Sequence, residues 1–314
     1  MLTTMASHRT SRWLIYIGLT AVVIFWGLNV VAMKAAFVHW NPLGFTGLRF
    51  LAMVPLAIGI ARMRGESLRI ERRDLPALLV CAGCGYGVYQ YFYVIGLAHT
   101  TAFASALLSS LAPIFTLMLA VALGHERSRT GRWIGAAIAL FGVAVFEGAF
   151  AGRAAIRLGD ALTIAAAAIF AGYNIFASRL LQRYSPTSLI AITLTLGAVM
   201  IAPGGVWGFA HQNFARLTSF DWLLLLYAVI FPMVIGYQLW SWGISKIGAG
   251  PTSIFNFAVP IVAGLAGVAF LRMPITSYEI TGATICIAGM AAAQLLARFS
   301  LTSLWTQLVV PVER

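Results

Sequence analysis

Ten apolar runs of roughly twenty residues, each closed by a short break of charged or turn-forming residues, fill most of this chain. They fall at about 13–36, 42–61, 75–97, 101–123, 132–149, 159–180, 186–207, 221–244, 250–270 and 277–297. A helix needs about 20 apolar residues to cross a bilayer's hydrocarbon. Without water nearby, backbone amides must bond within their own segment, so runs of this length become helices. No polar stretch between them is long enough to fold as an aqueous domain. Of the 314 residues 61% are apolar and 10% charged, against about half and a quarter in soluble domains. A soluble enzyme, a nucleic-acid binder and a disordered chain are excluded. The expected fold is an all-α integral membrane protein with ten transmembrane helices.

The net charge of +12 then reads as the bias of basic residues toward cytoplasmic loops. One side carries fifteen of the Lys and Arg residues, five of them in the break that holds Arg62, Arg64, Arg69, Arg72 and Arg73. The other side carries five: Lys34, Arg153, Arg157, Arg216 and Arg272. Both the N-terminus (1–12) and the tail (298–314) are therefore expected in the cytoplasm. The first run follows Arg9 and Arg12 as a signal peptide would. Its length and Asn29 within it favour a retained span. Cys81, Cys84 and Cys286 all sit inside apolar runs. With no further ligands at a useful spacing, they read as small buried thiols and not as a metal or redox site.

The chain repeats itself. A shift of 145 residues lays Ile24-Phe25-x-Gly27-x-Asn29-x-x-Ala32-x-Lys34 on Ile169-Phe170-x-Gly172-x-Asn174-x-x-Ala177-x-Arg179. A shift of 147 lays Gly96, Pro113, Gly135 and Gly142 on Gly243, Pro260, Gly282 and Gly289. The expected domains are a first repeat (13–149), an external connecting loop (150–158) and a second repeat (159–297). Five spans per repeat is an odd number, so the second repeat starts on the opposite side of the membrane. Two inverted repeats are the architecture of secondary transporters, with the substrate site near mid-membrane between them.

The stretch Phe25-Trp26-Gly27-Leu28-Asn29 to Lys34, followed by Asn41-Pro42 and Leu48-Arg49-Phe50, resembles the EamA-type transporters of the drug/metabolite transporter superfamily. The resemblance covers nearly the whole chain and is greatest to the bacterial aromatic amino acid exporters. It implies efflux of aromatic and other neutral amino acids across the inner membrane. The second repeat departs at Arg49, whose counterpart is near Thr193.

Polar side chains inside spans are costly and mark candidate substrate contacts. Asn29 and Asn174 form one pair, open to interhelical bonding or to substrate. Tyr86, Gln90 and Tyr93 share a helix face at spacings of four and three, and Gln90 and Tyr93 fall on Tyr237 and Trp240 in the second repeat. Aromatic faces can stack on apolar substrates or hold an ammonium; an interfacial aromatic belt, which explains Trp13, Trp40, Trp133 and Trp222, is the competing reading. Ser109 and Asn256 precede Pro113 and Pro260, which are expected to kink or hinge runs four and nine. Gly135 and Gly142, with Gly282 and Gly289, read as close helix packing. Lys34 and Arg49 could each attract a carboxylate, though Lys34 could equally bond carbonyls at a helix end.

No Asp, Glu or His lies in mid-membrane, so a proton relay, a metal site and a catalytic cluster all lack support. No P-loop is present, and the Gly83-x-Gly85-x-Gly87 run lies within a span, so no nucleotide is expected. The expected partners are a small-molecule substrate and membrane lipid, with no cofactor and no nucleic acid. A broad drug, purine or metabolite exporter is the alternative; an intramembrane transferase is the competing class.

Overall fold

A computed structural model describes residues 12–124, 130–151, 157–247, 252 and 255–296. Among them every regular element is helical. Helix α1 (Arg12–Ala36) leads to α2 (Pro42–Met63). Asn41 starts α2 by accepting hydrogen bonds from the Leu43 and Gly44 amides, and Pro42 follows where a missing N–H costs nothing. Then come α3 (Leu75–Gly85), α4 (Val88–Ala98), α5 (Ala102–Ser109), α6 (Ala112–Ala122) and α7 (Thr130–Phe146). The remainder comprises α8 (Leu158–Leu180), α9 (Pro186–Ala210), α10 (Ser219–Val229), a π-helical stretch Ile230–Gly236 and α11 (Tyr237–Ile247). A 3₁₀ turn Phe255–Ala258, α12 (Val259–Leu271) and α13 (Ser277–Leu295) complete it.

Seven helical segments are long and apolar enough to cross a membrane, and Thr130–Phe146 and Phe255–Leu271 are shorter apolar helices. Runs three, four, eight and nine are interrupted, those in four and nine beside the prolines expected to kink them. Run three breaks at Tyr86–Gly87, where a Cβ on Gly85 would stand 2.4 Å from the Tyr173 ring. Run four breaks at Ser110–Leu111, and Pro113 sits in the first turn of α6. Pro260 holds the same place in α12, after the 3₁₀ turn. Run eight carries Pro232, which has no amide hydrogen, inside the π stretch. The breaks in runs three and four thus recur about 147 residues later in runs eight and nine. Trp40, expected at the interface, is instead 1% exposed and packs on Phe45 and Trp222.

Helix pairing is reciprocal. α1 packs on α10, the π stretch, α11 and α12, while α8 packs on α3, α4, α5 and α6. α2 pairs with α9, and α7 with α13. Glycine makes both of these seams close: a Cβ on Gly47 would lie 2.6 Å from the Gly205 Cα, and one on Gly142 would lie 2.3 Å from the Cys286 nitrogen.

The two ends of the bundle carry matching polar networks. At one end His39 Nδ1 lies 3.1 Å from the Asp221 carboxylate. Beside it Gln212 accepts from the Asn41 amide at 2.6 Å and donates to the His39 carbonyl at 3.0 Å. At the other end Asp74 accepts from Arg183 and from the Tyr184 hydroxyl, while Glu66 accepts from Ser185 and Ser188. His39 and Tyr184, Asn41 and Ser185, Glu66 and Gln212, Asp74 and Asp221 are separated by 144–147 positions. Equivalent residues therefore tie the loops together at opposite ends.

Candidate transport site

The interruptions in runs three and eight bring aromatic side chains together between α1, α4, α8 and α11. Trp26 lies 5.0 Å from Trp240 and 5.7 Å from Tyr237, centroid to centroid. Its indole nitrogen donates to the Pro232 carbonyl at 3.2 Å, inside the π stretch. A π turn displaces carbonyls from the regular ladder, so an outside donor is the natural partner. Across the cluster Tyr86 meets Tyr173 edge-on at 5.6 Å, Tyr89 stacks on Tyr93 at 5.6 Å, and Phe170 touches both Tyr89 and Tyr173 at 5.1 Å.

One cation stands among these rings. The phenols of Tyr93, Tyr237 and Tyr89 are the electrostatic neighbours of Arg49. Its Nη1 lies 3.1 Å from the Met33 sulfur and its Nε has no partner. Asn29 points its amide nitrogen at the same sulfur, 3.7 Å away, and its buried Oδ1 is likewise unpaired. Met33 is fully buried beneath them.

The structure thus brings Tyr86, Tyr93, Tyr237, Trp240 and Asn29 toward one region, with Gln90 buried on the same helix as Tyr93. It separates others from that region. Lys34 donates to the carbonyls of Leu97 (2.9 Å) and Ala98 (2.8 Å), closing the end of α4 as a C-terminal cation does. Asn174 donates to Thr116 Oγ1 at 2.9 Å, an interhelical bond from α8 to α6. Thr116 corresponds to Ala263 in the second repeat, so Asn29 lacks the partner that Asn174 has. Ser109 lies at the α5–α6 break with a buried, unpaired Oγ, and Asn256 lies half-buried in the 3₁₀ turn before α12.

Trp26, Tyr173 and the central position of Arg49 were missed by pairing positions across the repeat. Trp26 corresponds to Ala171 and Tyr173 to Leu28, so neither pairs with an aromatic residue.

A groove of about 40 Å³ between α2, α9 and the π stretch runs from Arg64 and Thr187 past Ile60, Ile190 and Met233 to Tyr237. Arg64 straps its mouth through Thr187 Oγ1 (3.1 Å) and the Gln238 amide. Toward the opposite end, Thr100 donates to Asp160, and Glu147 lies beside it in the turn after α7. Burial, with the Asp160 charge adding to it, pushes the Glu147 carboxyl up to about 7. No three His, Cys, Asp or Glu side chains among the described residues are grouped to hold a metal ion. The cluster thus sets apolar ring faces beside one guanidinium and an unpaired amide oxygen.

The family model of EamA-like transporters matches residues 13–147 and again 157–293. An uncharacterized transporter of Archaeoglobus fulgidus is 29% identical over 282 residues, 89% of this chain and 97% of that one. A probable terminal-alkyne amino-acid exporter of Streptantibioticus cattleyicolor is 29% identical over 84% of this chain and 90% of its own. A probable amino-acid metabolite efflux pump of Escherichia coli is 26% identical over 86% of this chain and 91% of its own. One solved crystal structure superposes with a TM-score of 0.63 over 90% of this chain and 96% of its own, at 23% identity, which speaks to the fold alone.

Proposed function

Since the chain belongs to the EamA-like transporter family, we propose that it exports small neutral and aromatic amino acids by alternating access between two inverted five-helix repeats. That it is a membrane transporter and not an enzyme follows from the family. The amino-acid substrate is supported by the two exporter relatives. The observation that carries the reading is the ring-walled cluster around Arg49 where α1, α4, α8 and α11 meet. Phosphorylated solutes would call for several convergent Arg or Lys, whereas an amino acid needs an apolar wall and few charges.

The inverted arrangement is supported by the reciprocal helix pairing and by the matching networks at the two ends. In this reading each network closes one face, and rocking of the repeats releases them in turn. The fifteen-to-five basic asymmetry supports cytoplasmic termini, and the bacterial inner membrane is the membrane of this reading.

Counterflow in proteoliposomes with a panel of labelled amino acids tests the substrate. Phenylalanine and tryptophan are expected to exchange. A flat response to all amino acids, with movement of a purine or an organic cation, would replace this reading with the broad metabolite exporter.

A further inference from the structure

A cation in the interior of a membrane protein ordinarily finds an anion or a set of carbonyls. Two other cations follow that rule: Lys34 bonds two carbonyls, and Arg183, in a loop, meets Asp74. Arg49 does neither. Among the described residues no carboxylate lies within ion-pair reach of it. One guanidinium nitrogen is spent on a thioether, a weak acceptor, and Nε bonds nothing. The Asn29 amide nitrogen is aimed at the same sulfur at 3.7 Å, and its oxygen is unpaired. Two good donors therefore converge on a poor acceptor, beside an unused acceptor.

We infer that Arg49 is the carboxylate-binding residue of the transport site, with Asn29 as its neighbouring polar contact. The ligand class is a monocarboxylate with an apolar or aromatic body, and in an amino acid the Asn29 oxygen is free to accept from the ammonium. The inference rests on the transport reading above and names the group by which the substrate is held. A guanidinium offers two parallel N–H donors to one carboxylate. The neighbouring phenols of Tyr89, Tyr93 and Tyr237 can orient that group but carry no opposing charge. The single charge is one-sided: Thr193, near the counterpart position of Arg49, donates to the Leu189 carbonyl of its own helix at 2.6 Å. One anionic group per solute fits that asymmetry. A purely structural arginine would have drawn a carbonyl or carboxylate partner, as Lys34 and Arg183 have.

The test measures binding to the purified full chain for two matched pairs: phenylalanine with phenylalaninamide, and phenylacetate with phenylacetamide. Each carboxylate should bind the wild-type protein at least tenfold more tightly than its amide. Arg49→Gln should bring that ratio close to one. Where Arg49→Gln does not fold, Arg49→Lys decides: it keeps the charge but loses the planar fork, so the ratio should fall at least threefold. Equal binding of carboxylate and amide by the wild type, no binding of either carboxylate, or an unchanged ratio in the folded variant overturns the assignment. Binding of phenylacetate without phenylalanine would remove the amino-acid reading and leave Arg49 in place. Counterflow of phenylalanine with no carboxylate preference would do the reverse.

Discussion

Gly142→Ala puts one methyl group into the seam between α7 and α13, and the structure gives the size of the disturbance. The new Cβ would stand 2.3 Å from the Cys286 nitrogen, 2.7 Å from its Cα and 2.8 Å from the Gly282 oxygen. Non-bonded carbon settles at about 3.5–4 Å, and all three obstacles are backbone, so the helices must part by roughly 1 Å. A gap of 0.5–1 Å forfeits about a quarter to a half of each dispersion contact along the seam. Lipid supplies no hydrophobic force to compensate. Overpacking costs about 1–3 kcal/mol, and rigid backbone places this case near the top of that range. Alanine returns up to about 1 kcal/mol through its helix preference, which leaves a net loss of about 1–2 kcal/mol. Gly59→Ala in α2 is the control: nothing lies within 4 Å of its new methyl, so it should be neutral or stabilising. The assay is the midpoint of thermal loss of the monodisperse peak in detergent. Adding Gly282→Ala should cost less in the Gly142→Ala background than alone. Each would-be Cβ faces the other glycine's oxygen, at 2.8 and 2.7 Å, so one separation serves both. A Gly142→Ala protein as stable as Gly59→Ala, or strictly additive losses, would refute this close approach.

Trp240→Ala should weaken competition by phenylalanine several-fold and by threonine less, per unit of folded protein; equal losses would remove Trp240 from the site. Because Trp240 also packs on Trp26, the variant should lose about 0.5–1.5 kcal/mol of aromatic pairing as well. In a background lacking the three native cysteines, a cysteine at Asn213 should react with an impermeant thiol reagent from outside and one at Ser67 should not; the opposite pattern would invert the topology. Downhill flux in liposomes should persist with an uncoupler and no pH difference, and strict dependence on a proton gradient would contradict the absence of a mid-membrane acid. Glu147, raised to about 7 from 4.5, holds a proton in the folded chain that the unfolded chain releases. Stability should therefore fall as pH rises from about 4.5 to 7. Glu147→Gln should remove roughly 1–2 kcal/mol of that fall after solvent screening; an unchanged difference in melting midpoint between pH 5 and pH 8 would refute it.

Apolar length made the helices legible, because hydrocarbon thickness leaves one solution for a twenty-residue apolar run. The glycine pairs of α7 and α13 were legible too, since their seven-residue spacing repeats in both halves. The close seam between α2 and α9 was not: Gly44, Gly47, Gly205 and Gly208 face each other across it but are not related by the repeat. The helix breaks were half-legible. Proline announced those beside Pro113 and Pro260, but the π stretch depends on Trp26 supplying a donor from a distant helix. Of the site, the Tyr86–Tyr93 face and its second-half partners could be read from spacing. Arg49 could be seen as a candidate but not placed, because its significance lies in partners it lacks.

Under the alternating-access reading, these successes and failures have one origin. Residues that hold the frame together must act at both ends of the bundle, so they are matched across the repeat. Asp74 and Asp221 each tie down a loop, and Glu66 and Gln212 each hold a neighbouring one. Residues that hold the solute have no such obligation, because an amino acid has no two-fold axis. The cluster accordingly sets Arg49 against Thr193, Trp26 against Ala171 and an unpaired Asn29 against a paired Asn174. On that reading, symmetry in the sequence marks the moving frame, and departures from symmetry within it mark the candidate substrate contacts. A two-fold match weighs against direct substrate contact for Asn174, whose amide nitrogen is already engaged by Thr116. The opposite holds for Arg49, whose one hydrogen-bond acceptor among the described residues is the Met33 thioether and whose Nε has none.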